Sequence, residues 1–508
     1  MNILENFATL KNQGTLPLQD LPTMPYHDYF IVADNLLNQV GHHCVNNYAY
    51  RTGSQFRLIC CIADDLNHTI KVFSSLLEST PPPRLAALSK THYAMHIYER
   101  EISENFGIEF MYHPWPKPVR YAWNRADRSN IINNYPFYRI DGGELHEVGV
   151  GPIHAGVIEP GHFRFLCNGE NVLHLEIQLG WQHRGIEALF LEKSRLLQRT
   201  ILSESIAGDT AVGHSLAFVS LMESLGNISV SEQLELERTM ALELERIAMH
   251  IGDLGNVNIG MAYQLASSVF GTLRTPVINY MQTWCGNRFG KGLNRVGGSH
   301  YPFTPELGDK LNDLLDKVGA TIEPMADRLF SLPSFLMRAE GIGKVTEAQM
   351  KLIGAVGMAA RVTGVRSDIR QSHPFSAYKK YTIDSQTQEQ GDVWARMMIR
   401  NNEVRDSVRF VRDLSKRSGA AAPSASPTPE QELKLTPNAL CVSLVEGWRG
   451  EICHCAVTDD TGAVAHYKIK DPSFHNWLAL ALSLRDLEIS DFPINNKSYN
   501  LSYCGFDL

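Results

Sequence analysis

The sequence predicts an α+β protein, in which a small α/β N-terminal domain precedes a mainly α-helical domain with peripheral antiparallel strands. Residues 25–128 combine strand-like apolar runs with one helical stretch. After residue 146 the apolar spacing becomes helical over long stretches, and residues 439–469 return to strand character. A chain of 508 residues is also too long for one core, so at least two domains are expected.

The N-terminal domain is predicted at 25–128, with a linker at 129–145. Residues 56–63 form an apolar run typical of a strand, and residues 69–73 are predicted to return beside it. Residues 93–106 have helical spacing, and Gly107 is suited to end that helix because glycine adopts the left-handed conformation readily. The proline-rich segment after this helix is predicted to be an extended connector.

The second domain is predicted at 146–508. The segment Ser229-Val-Ser-Glu232 fits a capping box that starts a helix. The apolar residues after it recur every three or four positions and predict one buried stripe: Leu236, Met240, Leu244, Ile247, Ile251 and Leu254. Further helices are predicted near 305–335, 345–363 and 390–415. A low-complexity stretch predicts a flexible insertion at 417–432.

The bulk properties exclude several classes of protein. A net charge of −8 argues against a nucleic-acid partner. No stretch approaches the roughly 20 apolar residues that span a bilayer, and the first residues do not resemble a signal peptide. Nine scattered cysteines without any Cys-x-x-Cys predict reduced thiols in a cytoplasmic compartment. No Gly-x-Gly-x-x-Gly turn follows a strand, so nicotinamide chemistry is expected in another subunit.

Two cysteines lie close to each other in the last strand-like region of the chain. Cys453 and Cys455 flank His454 in a strand-like stretch. Alternation along a strand would point both thiols to one face and the imidazole to the other. No second pair of ligands follows nearby, so the sequence predicts buried core thiols rather than a metal site.

A series of short motifs lies along the chain in the order of a known family. They fall at 151–157, 180–187, 243–247, 252–255, 286–290, 364–370, 373–375 and 391–396. They resemble the quinone-site subunit of complex I (NuoD-like) and the nickel–iron hydrogenase large subunits. Residues 98–108 with His113-Pro114 are similar to the neighbouring small complex I subunit (NuoC-like). The chain thus resembles a fusion of the two, as in formate hydrogenlyase-type hydrogenases, with a hydrogenase-large-subunit-like domain at 146–508.

The resemblance implies a lost metal site. In nickel–iron hydrogenases two Cys-x-x-Cys pairs hold the metals. With His214 as anchor and Asp507 as the aspartate that follows the second pair, these positions hold Ala207, Thr210, Ser502 and Gly505. A slip of one residue would bring in Cys504 alone. Nickel and iron in such a site need soft, anionic sulfur, so the sequence predicts no metal here.

Complex I provides a second precedent, in which the vacated cavity binds a quinone. The resemblance places His154 on the hairpin that carries the family's quinone-binding histidine. A histidine there could hydrogen-bond a quinone carbonyl and donate a proton. The alternative is an ordinary exposed loop histidine. The family tyrosine on the other side of the headgroup falls at Gly208, which departs from the standard site.

Two carboxylates are further catalytic candidates. In the hydrogenase relatives the glutamate at Glu187 gates proton movement, although three-residue spacing would also let it pair with Arg184 on a helix surface. Asp209 lies between the two lost ligands of the first pair. If it is buried, its pKa would rise and it could carry a proton. If it faces water, it is only a carboxylate at a helix terminus.

The remaining candidates would line the cavity and bind the cofactor or substrate. The resemblance assigns His183 and Arg184 to this role, together with Asp368 and Arg370. It suggests that Arg370 projects towards the cavity, where a guanidinium could hold an anion or a quinone oxygen. The alternative is that Asp368 and Arg370, which are separated by one residue and would not share a face of a helix, make two independent ion pairs. His214 is predicted to make a structural hydrogen bond in the core.

The sequence leaves three functions open. The first is a subunit that passes electrons from an iron–sulfur partner towards a quinone-type acceptor. The second is a non-catalytic coupling or scaffold subunit of an ion-translocating complex, and the third is a functional hydrogenase. No cofactor bound by the chain itself is expected, although a quinone is possible. The expected partners are an iron–sulfur small subunit (NuoB-like) and membrane subunits (NuoH-like and antiporter-like), at the inner face of the cell membrane.

Overall fold

The computed structural model describes residues 3–140, 142–155, 158–420 and 428–508. The strands are β1 Ala8–Leu10, β2 Thr15–Pro17, β3 Thr23–Met24, β4 His42–Thr52, β5 Gln55–Asp64, β6 Thr69–Glu78, β7 Arg84–Ala86, β8 Glu109–Met111, β9 Leu145–Val150, β10 His162–Asn168, β11 Asn171–Gln178, β12 Ala439–Gly447, β13 Gly450–Thr458, β14 Val464–Lys470 and β15 Leu487–Glu488.

The helices alternate with these strands only at the two ends of the chain. They are α1 Tyr26–Leu37, α2 His96–Phe106, α3 Ile186–Glu192, α4 Leu196–Ser203, α5 Ala211–Leu225, α6 Glu232–Gly260, α7 Gln264–Cys285, α8 Pro305–Phe330, α9 Pro333–Ala339, α10 Glu347–Ile353, α11 Met358–Arg361, α12 Ile369–Ser372, α13 Val393–Ala420, α14 Ser473–Leu482, α15 Phe492–Tyr499 and α16 Tyr503–Asp507. The mixture of helices and mainly antiparallel sheets is the predicted α+β class.

The N-terminal sheet has the order β1-β6-β5-β4, with β3 added parallel to β6. The predicted pair of strands at 56–63 and 69–73 is confirmed as the antiparallel ladder of β5 and β6. Gly107 ends α2 with a φ of 72°, as predicted. Strand β4 was missed, because its polar residues Asn46 and Asn47 hide the alternation of a strand; both are buried.

The helical core is built around α6, which packs against α7 and α13. The six apolar residues predicted to form its stripe are all buried. The capping box at Ser229 is wrong by two residues, because the helix starts at Glu232 and Ser231 accepts the hydrogen bond from the Leu234 amide at 3.2 Å. Helix α13 continues to Ala420, so the insertion expected to be flexible begins as helix. Residues 421–427 of that insertion lie outside the described residues.

The C-terminal sheet has the order β14-β13-β12-β2. Strand β2 comes from the N-terminal part of the chain and pairs with β12. The predicted buried thiols are confirmed: Cys453 and Cys455 have their sulfurs 3.7 Å apart, and the Asn46 side chain of β4 donates to both. A third sheet of order β15-β11-β10-β9 carries the hairpin that ends at His154.

A row of alternating charges joins the N-terminal sheet to the rest of the protein. Lys470 Nζ lies 2.5 Å from the Glu451 carboxylate, whose other oxygen lies 2.7 Å from His43 Nε2. Asp65 lies 3.4 Å from both His43 and His373. Burial acting alone would lower the pKa of His43, but Asp65 and Glu451 outweigh it and hold the pKa well above 6.5. His43 is therefore protonated in the folded protein at neutral pH.

The row of charges around His43 predicts that the stability of the protein depends on pH. A histidine whose folded pKa is raised stabilises the fold fully below its unfolded pKa of about 6.5, and loses this contribution as the pH rises through the folded value. Replacing His43 by glutamine is therefore expected to lower the free energy of unfolding most at pH 6 and progressively less towards pH 9.5. Urea unfolding across this pH range measures the difference in the free energy of unfolding between the wild type and the variant. Replacing His27, an exposed histidine, by glutamine is the control. A difference that stays constant with pH contradicts the prediction.

Candidate functional site

The C-terminal segment 502–508 lies against the loop 180–185. The Asp507 carboxylate accepts hydrogen bonds from the Gly180 and Gln182 amides, each at 2.7 Å. His183 Nδ1 donates to the Asp507 carbonyl at 2.7 Å, and the next two amides of the loop donate to the Leu508 carbonyl. Burial raises the pKa of Asp507 to about 7. His183 therefore holds the C-terminal segment in place through its ring.

The four positions that correspond to metal ligands are buried around this segment. Ala207 and Thr210 lie in the turn before α5, and the Thr210 amide donates to the Ala207 carbonyl at 3.0 Å. Ser502 caps α16 by accepting the Gly505 amide at 2.9 Å. Ala207, Thr210, Ser502 and Gly505 therefore bring no thiolate to this part of the structure.

An arginine that the sequence did not single out enters this space. The Arg449 guanidinium contacts the Asp209 carboxylate with two hydrogen bonds of 2.6 and 2.7 Å, and donates to Thr210 Oγ1 at 3.1 Å. It also donates to the Asn500 carbonyl and stacks on the Trp448 ring, 3.9 Å from its centre. Asp209 is 34% exposed and ion-paired. It is therefore neither an isolated buried acid nor a free carboxylate in water.

A second unpredicted side chain, Asp471, occupies the space beside Gly505. A Cβ atom added to Gly505 would lie 2.6 Å from Asp471 Cγ and 2.9 Å from Ser502 Oγ, so a cysteine does not fit there without movement. Burial acting alone would raise the pKa of Asp471, but His214 and Arg449 hold it below its ordinary value. An ionised carboxylate therefore stands where a ligand side chain would project.

The residues present do not fit a nickel–iron centre. Ala207 offers no donor atom, Thr210 is bonded to a guanidinium, and Gly505 is closed off by Asp471. Across residues 3–140, 142–155, 158–420 and 428–508, no three His, Cys, Asp or Glu side chains gather in a way that could hold a metal ion. That the chain holds no metal stays a prediction, which elemental analysis can test.

His154 lies in the loop between β9 and β10. Its Nε2 donates to the Gly161 carbonyl at 2.8 Å. Gly151 has a φ of +88°, and a Cβ there would lie 2.6 Å from the His154 ring, so only glycine fits. Tyr503 packs on Gly161, with its ring 2.7 Å from the point where a Cβ would lie. The hairpin therefore brings His154 towards the C-terminal segment, with the other ring nitrogen uncommitted among the described hydrogen bonds.

Arg184 and Glu187 do not pair with each other. The Arg184 guanidinium donates to three backbone carbonyls, those of Ser205, Ile206 and Cys504, and so ties the loop to the turn and to the C-terminal segment. Glu187 instead accepts the Ile469 amide at 2.9 Å and contacts Lys468 Nζ at 3.0 Å. Burial alone would raise its pKa, but Lys468 and Arg120 outweigh it and lower the pKa.

Arg370 and Asp368 pair with each other, against the alternative of two independent ion pairs. Helix α12 is only four residues long, and Asp368 caps it while its carboxylate receives the Arg370 guanidinium at 2.7 and 2.9 Å. Arg370 also contacts Glu243 and Glu403 on α6 and α13. All these groups are buried. The guanidinium therefore belongs to an ionic network in the helical core, not to the space around Asp471.

His214 makes the core hydrogen bonds that the sequence predicts. It is fully buried and contacts Asp471 and His454 through its two ring nitrogens. The residues that sequence reasoning missed are its partners and Arg449. A signal was available for two of them: Arg449 lies between glycine-flanked strands in Gly447-Trp-Arg-Gly450, and Asp471-Pro472 follows β14 directly. Both turns lie at strand ends, where side chains leave the sheet.

Comparisons with known proteins show what the chain is similar to. Residues 266–507 match the family described as the 49 kDa subunit of respiratory-chain NADH dehydrogenase. The matches below extend the likeness to hydrogenases, so the chain is similar both to complex I 49 kDa subunits and to hydrogenase subunits. No helix among the described residues is long and apolar enough to cross a membrane.

The relatives include hydrogenase subunits and subunits of NADH-quinone oxidoreductase. The chain is 26% identical to formate hydrogenlyase subunit 5 of Escherichia coli over 68% of its own length and 60% of the relative. It is 27% identical to the carbon monoxide-induced hydrogenase of Rhodospirillum rubrum, over 69% of this chain and 95% of the relative. It is 25% identical to NADH-quinone oxidoreductase subunit 4 of Thermus thermophilus, over 68% of this chain and 90% of the relative. The match thus spans less than two thirds of the formate hydrogenlyase subunit.

Proposed function

We propose that this chain is a subunit of a membrane-associated oxidoreductase complex, in which electrons pass from an iron–sulfur partner towards a quinone-type acceptor. The names of its relatives, subunits of NADH-quinone oxidoreductase and of hydrogenases, support this assignment. The observation that carries it is the His154 imidazole, which is held through one ring nitrogen by the Gly161 carbonyl and has the other uncommitted among the described hydrogen bonds. The space beside Thr210 and Gly505 holds Arg449 and Asp471 instead of thiolates.

The assembly follows from the same proposal. The small N-terminal unit would precede a hydrogenase-large-subunit-like unit, and the complex would include an iron–sulfur small subunit of the NuoB type. Membrane subunits of the NuoH and antiporter types would hold the complex at the inner face of the cell membrane. The iron–sulfur cluster belongs to the partner, so this chain contributes the acceptor site.

The acceptor site would lie between the His154 hairpin and the C-terminal segment. One nitrogen of His154 is fixed by the Gly161 carbonyl, so the ring is oriented before the acceptor arrives. Asp209 and Glu187 would handle protons, since both are carboxylates in charge pairs close to this segment. His183 and Arg184 would position the segment, while Asp368 and Arg370 would keep the helical core rigid.

The test uses the native complex purified through this chain. Reduced methyl viologen supplies electrons, and reduction of a soluble ubiquinone analogue is compared with reduction of ferricyanide. Replacing His154 by alanine is expected to slow quinone reduction at least about ten-fold, by loss of a proton donor, and to leave ferricyanide reduction unchanged. His146→Ala, an exposed histidine at the base of the same hairpin, is the matched control. A wild-type complex that reduces no quinone contradicts the proposal.

A coupling role is the second candidate, and the Arg449–Asp209 pair favours it, because these side chains occupy the ligand space themselves. In that case the wild-type complex reduces no quinone, and replacing Asp209 uncouples the membrane partners without changing electron transfer. The third candidate, a hydrogenase, requires about one nickel per chain by elemental analysis. That result would overturn the assignment of Ala207 and Thr210 as lost ligands.

A further inference from the structure

A line of four hydrogen-bonded side chains runs through the interior beside the C-terminal segment. Asp471 Oδ2 lies 3.0 Å from His214 Nε2, and His214 Nδ1 lies 3.1 Å from His454 Nε2. His454 Nδ1 then lies 2.7 Å from the Tyr467 hydroxyl. All four residues are buried, and they come from α5, β13, β14 and the turn after β14. None of them was among the predicted site residues, and His214 was expected only to make a structural hydrogen bond in the core.

The chemistry of the groups fixes the direction of the hydrogen bonds. Asp471 is held in its ionised form and also accepts the Ser473 amide at 2.7 Å, so His214 Nε2 donates to it. His214 Nδ1 must then accept from His454 Nε2, and His454 Nδ1 must accept from the Tyr467 hydroxyl. Burial first, and then His214, hold the pKa of His454 well below its ordinary value, so it is neutral. Every donor in the line points towards Asp471.

The line differs from the other buried polar clusters in the kind of group it uses. The ionic network around Arg370 and Glu403 depends on guanidinium groups, which do not give up a proton at physiological pH. In the line, each imidazole uses one ring nitrogen as donor and the other as acceptor, with both directed along the same path. A network that only stabilises the fold needs polar groups whose hydrogen bonds are satisfied. A network that relays protons also needs each consecutive group to accept and release a proton, and all four groups of the line can do so.

The two ends of the line are buried in different surroundings. Tyr467 stacks on Phe190, with ring centres 4.2 Å apart, and lines a crevice of about 320 Å³ between the N-terminal unit and α3. The charged group that acts on its hydroxyl is Arg199, while burial raises the pKa of the neighbouring thiols of the C-terminal sheet and keeps them neutral. At the other end, Asp471 lies beside Gly505 and Arg449, and the partner of Arg449, Asp209, is partly exposed.

We propose that Tyr467, His454, His214 and Asp471 form a proton path from this crevice to the C-terminal segment. The inference rests on the proposed function, because reduction of a quinone consumes two electrons, from the partner's iron–sulfur clusters, and two protons. For each proton, Asp471 takes the proton of His214 Nε2, and His214 Nδ1 takes that of His454 Nε2. His454 Nδ1 takes the hydroxyl proton of Tyr467, whose oxygen takes one from crevice water. One proton leaves the water and one arrives at Asp471, which releases it towards the acceptor. The hydroxyl and both imidazoles then return to their starting hydrogen bonds before the next proton passes.

The first experiment measures the path without turnover. In the full chain labelled with ¹⁵N-histidine, the imidazole protons of His214 and His454 are expected to exchange with deuterium through Tyr467. Tyr467→Phe removes only the hydroxyl and keeps the ring on Phe190, so it is expected to slow this exchange about ten-fold or more. His475, a buried histidine that donates to the Ala94 carbonyl, is the internal reference. Equal exchange rates in the wild type and the variant overturn the path.

The second experiment uses the complex. Tyr467→Phe and His454→Gln are expected to slow quinone reduction and to increase its solvent isotope effect, while ferricyanide, which takes up no proton, is reduced at the wild-type rate. His475→Gln is the matched control. Unchanged quinone reduction in both variants overturns the path. A wild-type complex without quinone reduction, in which exchange still depends on Tyr467, refutes the proposed function and leaves the path standing.

Discussion

Replacing Glu403 by alanine is expected to lower the free energy of unfolding by about 3–5 kcal/mol, the range typical of a buried ion pair that loses one partner. Glu403 accepts from Arg361 at 2.5 Å and from His250 at 2.6 Å, and it contacts Arg370 at 3.3 Å. Burial alone would raise its pKa, but Arg361 and His250 hold it well below the ordinary value. The change would leave buried cations without their shared anion.

Urea unfolding followed by circular dichroism gives the free energy for this variant. Glu347→Ala is the matched control, because this glutamate pairs with Lys351 across one turn of α10 with both side chains largely exposed. Such helix pairs contribute about 0.3–0.5 kcal/mol. Equal, small losses for the two variants would show that the buried network contributes little, contrary to the prediction. Failure of only the Glu403 variant to fold agrees with it.

Replacing Gly357 by alanine is expected to destabilise the protein by about 3 kcal/mol or more, from backbone strain combined with overpacking. Gly357 has φ 60° and ψ −142°, a conformation almost confined to glycine. The added Cβ would lie 2.2 Å from Gly450 Cα and 2.3 Å from the Arg449 carbonyl. Both contacts are with backbone, so relief requires a shift of the turn that carries Arg449, the partner of Asp209.

Thermal and urea unfolding measure the effect, and Gly271→Ala provides the control. Gly271 lies within α7 with no atom close to its added Cβ, so alanine there is expected to stabilise the helix by about 0.5–1 kcal/mol. A Gly357→Ala protein as stable as the wild type would mean that the contact with Gly450 relaxes freely. The close contact between Gly357 and Gly450 would then not be what holds Arg449 in position.

Elements with a regular apolar period were predictable from the sequence. The stripe of α6 and the ladder of β5 and β6 follow from spacing alone, because one face of each element must be buried. Strand β4 was missed because its buried face carries Asn46, whose partners Cys453 and Cys455 lie about four hundred residues further on. A local window contains no information about such a partner.

The site was predictable as a set of segments and not as a set of contacts. The resemblance indicated that residues around 154, 184, 207 and 505 lie near one another. It did not indicate that Arg449 would bond Thr210, since neither residue's neighbours in sequence suggest the other. The pairing of Arg370 with Asp368 was missed for a simpler reason: helical spacing was assumed where α12 is too short to impose it. Tertiary contacts decided both outcomes.

The pairing of β2 with β12 has a consequence for how the protein is made. A strand synthesised near the beginning of the chain waits for a partner that leaves the ribosome more than four hundred residues later. Until then β2 has no partner strand, and pairings between such distant segments form slowly. A nascent chain held up before residue 439 would therefore leave β2 unpaired, and translation pausing there should increase aggregation.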